Sequence, residues 1–146
     1  MPPYRETISI AASSESIWHA LANVVAWPEW LPTVNSVQAL DAPLLKVGNR
    51  YTVLQPKLRP ATWTVTELKP PYRFVWEARS PGLRMVADHA IEAQSSKLSR
   101  VTLEFSFSGL LGAPIGMLYR SVTQRYLARE AAALKHTVEG RNAGKA

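Results

Sequence analysis

His89 is the residue of this sequence best placed to do acid–base chemistry. In RMVADHAIEA it alternates with Met85, Ala87 and Ile91, while Asp88 and Glu92 take the opposite parity. Strand alternation then puts the imidazole on a covered face among apolar neighbours. A neutral imidazole held there could orient a bound oxygen or move a proton near neutral pH. The same placement also fits a histidine that hydrogen-bonds a neighbour for structural reasons. Tyr51, in RYTVLQ, is the second candidate for proton transfer.

Other chemistries find less support. His19 and His136 stand far from His89 with no paired ligand at metal spacing, so no metal site is expected. With no cysteine, thiolate catalysis, disulfides and Cys-based zinc sites are excluded. There is no Gly-x-Ser-x-Gly elbow and no convincing triad order. The glycines of SGLLGAPIG lack the lysine of a phosphate loop and read as a strand-to-helix turn. No cofactor is expected.

The elements that position His89 follow from the patterning. YRETISI alternates as a strand. In AASSESIWHALANV, Ser13 or Ser14 can cap a helix whose apolar face carries Ile17, Leu21 and Val24, and which must stop by Trp27 because Pro28 follows. Pro28 is placed to open a second short helix, which Pro32 ends. Six strand-like runs follow between residues 33 and 108, TVNSVQAL, RYTVLQ, ATWTVTEL, YRFVWEAR, RMVADHAIEA and LSRVTLEFSF. The breaks between them are short and rich in Pro and Gly, which predicts an antiparallel meander. A long helix then opens near Pro114 and ends before Gly140. Its apolar stripe shifts from Ile115, Leu118, Tyr119, Val122 and Tyr126 to Leu127, Ala131, Leu134 and Val138, so one helix must pack on two surfaces.

The 146 residues, 47% apolar and 19% charged, suit one domain over residues 1–141 with a short polar tail at 142–146. The net charge is +6, but the basic residues are scattered apart from Lys57 and Arg59 in PKLRP and Arg125 with Arg129. Neither group has the aromatic interleaving or recognition helix of a nucleic-acid binder, so no nucleic acid is expected. The opening residues lack the pattern of a signal peptide, and no window approaches the roughly 20 apolar residues of a membrane span. A cytoplasmic location is the resulting expectation, with the oligomeric state left open.

The order of these elements resembles the START-like, birch-pollen-allergen superfamily called SRPBCC, and within it the polyketide cyclase/dehydrase group. The resemblance rests on ISIAASSESIWHALANV, AWPEWLPTVNSV, VGNRY, WTVTELKPPYRFVWE and RYLAREAAALKHTVE, and covers about residues 5 to 139. It departs before RVTLEF, where relatives often carry a Gly-Thr turn and this chain has SSKLS. The resemblance implies an α+β helix-grip fold, in which a curved antiparallel sheet of about seven strands wraps around the long C-terminal helix, with two short helices after the first strand. It also implies an apolar cavity between sheet and helix. Trp30, Tyr51, Trp63, Trp76, His89, Phe105, Leu118, Val122 and Tyr126 are then candidates for its wall, facing a polyketide-, sterol- or lipid-like ligand. Trp27 is expected to fill core only, whereas Trp30 suits either role. Cyclisation or dehydration of a bound carbonyl compound is the first functional expectation. The alternative is a non-catalytic lipid carrier or chaperone making transient contact with anionic membranes through its basic patches. The few polar candidates for the cavity favour binding over chemistry.

Overall fold

A computed structural model describes residues 3–143. Strand β1 (Tyr4–Ile10) leads into helix α1 (Ser14–Ala22) and a 3₁₀ helix over Val24–Glu29. Strands β2 (Ser36–Ala39), β3 (Arg50–Leu54), β4 (Ala61–Lys69), β5 (Arg73–Ser80), β6 (Leu83–Ser95) and β7 (Leu98–Ser108) follow. Helices α2 (Gly112–Leu118) and α3 (Arg120–Ala143) close the chain.

The seven strands form one antiparallel sheet in the order β1-β7-β6-β5-β4-β3-β2. Each strand from β2 to β7 pairs with the next, as short connections dictate. The β6–β7 hairpin closes from Ser95 to Leu98 without a Gly-Thr turn. Alternate side chains of the central strands, among them Phe74, Trp76, Ala87, His89, Val101 and Leu103, are buried on one face. Against that face packs α3, which buries Leu127, Ala131, Leu134 and Val138. This is the helix-grip arrangement of the α+β class.

At the start of α1 the Ser13 hydroxyl accepts the Ser16 amide hydrogen at 3.2 Å, satisfying a donor the helix leaves free. Two local expectations need correction around it. The α-helix ends at Ala22, within the limit set by Pro28 but short of Val24, and the second short helix is a 3₁₀ helix that begins at Val24 with Pro28 inside it, not at its opening. The tighter winding has three residues per turn, so Val24 and Trp27 stack on one side and both reach the core.

The C-terminal region is also two helices, not one. The chain breaks at Tyr119, whose amide bonds back to the carbonyls of Ile115 and Met117 before α3 begins. The break sets Ile115 and Leu118 apart on α2, but Val122 and Tyr126 share α3 with Leu127, Ala131, Leu134 and Val138, so α3 itself still presents both stripes. Gly140 does not terminate α3, which continues to Ala143, two residues past the expected domain end; residues 144–146 of the expected tail lie outside the described residues. Near that end Glu139 accepts the Ala11 amide and the Lys135 ammonium, each at 2.8 Å, fastening α3 to the turn after β1.

The entry to α2 depends on Gly109, at φ +91°. A Cβ there would stand 2.6 Å from the Gly82 carbonyl oxygen, inside contact distance of backbone that cannot swing away. Gly109→Ala is therefore expected to lower stability by more than about 1 kcal/mol, visible as a reduced midpoint of thermal unfolding.

Candidate functional site

Between the covered face of the sheet, α2 and α3 lies a cavity of about 650 Å³. Its walls are largely apolar and aromatic, with Trp63 on β4, Trp76 on β5 and Phe105 on β7 facing Val122, Tyr126 and Leu127 on α3. The aromatic rings brace one another. The Trp63 and Trp76 centroids are 5.8 Å apart, and Phe105 meets Trp63 edge-on at 5.7 Å. Tyr126 fixes the rim by donating its hydroxyl to the Pro56 carbonyl in the β3–β4 connection.

Of the residues named from sequence, Trp63, Trp76, His89, Phe105, Val122 and Tyr126 border this cavity. Trp30, Tyr51 and Leu118 do not. Trp30 is half-buried and meets Trp27 edge-on at 6.4 Å, one layer behind the wall. Leu118, the last residue of α2 before the break at Tyr119, is 75% exposed. Tyr51 is fully buried, and its hydroxyl donates to the Leu44 carbonyl at 2.9 Å, away from the cavity. Burial pushes that hydroxyl above its usual pKa. Tyr51→Phe is expected to cost about 1 kcal/mol at most by losing that bond, since the Asn49 side-chain amide still donates to the same carbonyl at 3.1 Å. It should leave binding of an apolar fluorescent probe unchanged, which denaturant and probe titrations would check separately.

Trp27, expected as core filling alone, does more. It is buried, borders the cavity, and packs against Trp30, Phe74, Trp76 and His89. Its indole N–H donates to the Leu21 carbonyl at 2.9 Å, which satisfies one of the carbonyls that the end of α1 leaves free. The opening of the chain thus supplies one wall of the cavity.

His89 projects from β6 with its ring stacked on Phe74, the centroids 4.0 Å apart and the planes 11° from parallel. Its Nδ1 lies 3.3 Å from the Phe74 carbonyl oxygen. A carbonyl can only accept, so Nδ1 carries the hydrogen and Nε2 keeps its lone pair. Burial pulls the imidazole pKa down to about 4, against a smaller upward pull from the Phe74 carbonyl. The ring is neutral at physiological pH.

Facing that lone pair is a group the sequence reading missed. Glu130 of α3 places Oε1 3.6 Å from His89 Nε2. Oε1 is buried and makes no hydrogen bond. Burial pushes the carboxyl up to about 7, so it is protonated in mildly acid solution and about half protonated at pH 7. The signal was present in the sequence. Glu130 follows Leu127 by three residues and precedes Leu134 by four, which puts it on the buried stripe of α3. The site therefore joins a protonated acid and a neutral base, side by side at the wall of an apolar cavity.

The family described as polyketide cyclase / dehydrase and lipid transport matches residues 1–139. The chain belongs to this family. No curated protein matches it by sequence. Among solved structures it is similar to the Zhui aromatase/cyclase from Streptomyces sp. R1128, at 16% identity and a TM-score of 0.77, covering 96% of this chain and 94% of that one. Norcoclaurine synthase from Thalictrum flavum, in complex with dopamine and hydroxybenzaldehyde, is similar at 12% identity and a TM-score of 0.75, covering 95% of this chain and 87% of that one. The hypothetical protein jhp0584 from Helicobacter pylori reaches 0.78 at 13% identity, covering 94% of this chain and 88% of that one. At these identities the likeness is one of fold.

Proposed function

We propose that this polyketide cyclase/dehydrase family member binds an apolar carbonyl compound in its cavity and catalyses its cyclisation or dehydration. The observation that carries the reading is the Glu130–His89 pair, whose carboxyl is pushed up to about 7 beside an imidazole pulled down to about 4. Two titratable groups displaced in opposite directions divide the roles of acid and base.

In a dehydration, His89 Nε2 takes the proton from the carbon next to the substrate carbonyl. The electron pair left behind forms the new carbon–carbon double bond, and the hydroxyl on the adjacent carbon departs as water with the proton of Glu130. The pair is left as imidazolium and carboxylate 3.6 Å apart, and return of the proton to Glu130 resets it. In a cyclisation, the same proton removal creates the carbon nucleophile, and Glu130 protonates the carbonyl oxygen that it attacks. The walls formed by Trp63, Trp76, Phe105, Val122 and Tyr126 fold the substrate and exclude water, which supplies orientation in addition to proton transfer.

The passive-carrier alternative has no use for this pair. An unpartnered carboxyl at the wall weakens an apolar site that only has to hold a lipid. Native mass spectrometry of the freshly purified protein, followed by solvent extraction, tests the reading. A released aromatic or polyketide-like carbonyl compound that the protein converts supports it. A stoichiometric acyl lipid released unchanged would favour the carrier.

A further inference from the structure

The cavity opens at the end of the sheet where the β3–β4 connection, the β5–β6 turn and α2 meet. Leu58, Arg59, Ser80, Leu83, Ile115 and Tyr119 border it there. The Leu111 amide donates to the Gly82 carbonyl at 2.8 Å, joining the foot of α2 to the β5–β6 turn. Ile115 and Tyr119 form the inner side of this corner, and its outer side is apolar as well. Leu110 is 93% exposed, Leu118 75%, Met117 72% and Leu111 46%. Four large apolar side chains standing together at the tip of a fold mark a contact surface.

The charge around that tip has one sign. Segments 51–66, 78–87 and 105–125 together carry Lys57, Arg59, Arg79, Arg84, Arg120 and Arg125 and contain no carboxylate. Arg79 and Arg84 share Glu77 on the outer face of β5. Lys57, Arg59, Arg120 and Arg125 are exposed and form no ion pair among the described residues.

We propose that the protein docks on anionic lipid bilayers through this corner, with Leu110, Leu111, Met117 and Leu118 entering the acyl boundary and the cations lying at the headgroups. The occupant follows from shape and charge together. Projecting apolar side chains need a medium that closes around them, and unpaired cations around them need a negative surface. A second copy of this chain carries the same cations and would repel them, and four side chains make a small patch beside the roughly 800 Å² per partner of a stable interface. Docked in this way, the mouth of the cavity faces the bilayer, and an apolar ligand passes between them along α2 without crossing water. No helix among the described residues is long and apolar enough to span a membrane, so the contact is peripheral.

Flotation of the full chain with phosphatidylcholine vesicles, with and without phosphatidylserine, tests this. Recovery with the phosphatidylserine vesicles alone, reversed by salt, is the expected result. Met117→Glu with Leu118→Glu should weaken it at least about tenfold, and Lys57→Ala and Arg120→Ala about fivefold each. These positions are exposed, and circular dichroism will verify that the variants fold. Glu130→Gln should float like the parent, so a failure of the proposed chemistry leaves this result standing. No recovery, equal recovery with both vesicles, or recovery untouched by the α2 variants would overturn the proposal. Sedimentation showing a dimer that the α2 variants dissolve would assign the patch to a second copy and overturn it too.

Discussion

Glu130→Gln is expected to give a protein whose stability climbs by about 3 kcal/mol between pH 4 and pH 6.5, where the parent is nearly flat. The reason is the placement of one proton. In the folded parent, His89 titrates near 4 and Glu130 near 7, so the pair holds one proton between those values. In the unfolded chain the carboxyl titrates near 4.5 and the imidazole near 6.5, so the pair again holds one proton over most of that range. Equal proton counts mean no dependence of stability on pH between 4.5 and 6.5, even though the proton sits on Glu130 when folded and on His89 when unfolded. Removing Glu130 leaves His89 alone with a depressed pKa. The unfolded state then binds more protons below 6.5, and stability is lost as pH falls toward 4. His89→Gln exposes the opposite slope, a fall of about 3 kcal/mol as pH rises from 4.5 to 7, because Glu130 binds its proton more tightly when folded. Urea titrations at several pH values would read both slopes. On an identified substrate, Glu130→Gln should also cost roughly 10²- to 10⁴-fold in kcat, with affinity for an apolar probe retained. Parent-like stability slopes in both variants would show that the two groups do not hold the displaced proton.

Trp27→Ala is expected to cost about 3–5 kcal/mol, a large part of the roughly 5–15 kcal/mol by which a domain of this kind is stable. The indole is the point at which the 3₁₀ helix, β5 and β6 meet, through Trp76 at 5.3 Å, His89 at 5.8 Å and Phe74 at 6.4 Å. Its loss would widen the cavity beside His89 and deprive the Leu21 carbonyl of its donor. Trp27→Phe keeps most of the apolar volume but loses the hydrogen bond, and should cost about 1 kcal/mol or somewhat more. Denaturation curves of the two variants separate the packing from the bond. A Trp27→Ala midpoint close to the parent's would mean that Phe74, Trp76 and His89 hold their places without it.

His89 was legible because strands alternate with period two, and the parity of Met85, Ala87 and Ile91 fixed which way it points. Trp63, Trp76 and Phe105 were legible for the same reason. Glu130 was missed because a helical stripe read from apolar residues alone passes over a carboxylate standing on it. Leu118 was misplaced because nothing in its neighbourhood announces the break at Tyr119: Pro114 sits within the first turn of α2, where it is tolerated, and no proline or glycine stands at the break. Tyr51 and Trp30 show a different limit. Both belong to the aromatic cluster, but for Tyr51 strand parity names a face and gives no depth, and Trp30, just past the 3₁₀ helix, has no parity to read. Which rings touch empty space depends on where α3 lies, and that is settled by packing between residues distant in sequence.

The placement of β1 has a consequence for how the chain assembles. Its first strand pairs only with its last, Tyr4 opposite Phe105 and Ile10 opposite Ser99, while every other sheet contact joins neighbours in sequence. A chain emerging from the ribosome can therefore zip β2 through β7 hairpin by hairpin, each closing a short loop. Throughout that time β1 waits with its ladder unpaired, and its entry closes a far longer loop at a greater entropic cost. The strand made before the other six thus gains its one partner only after the last of them has been made.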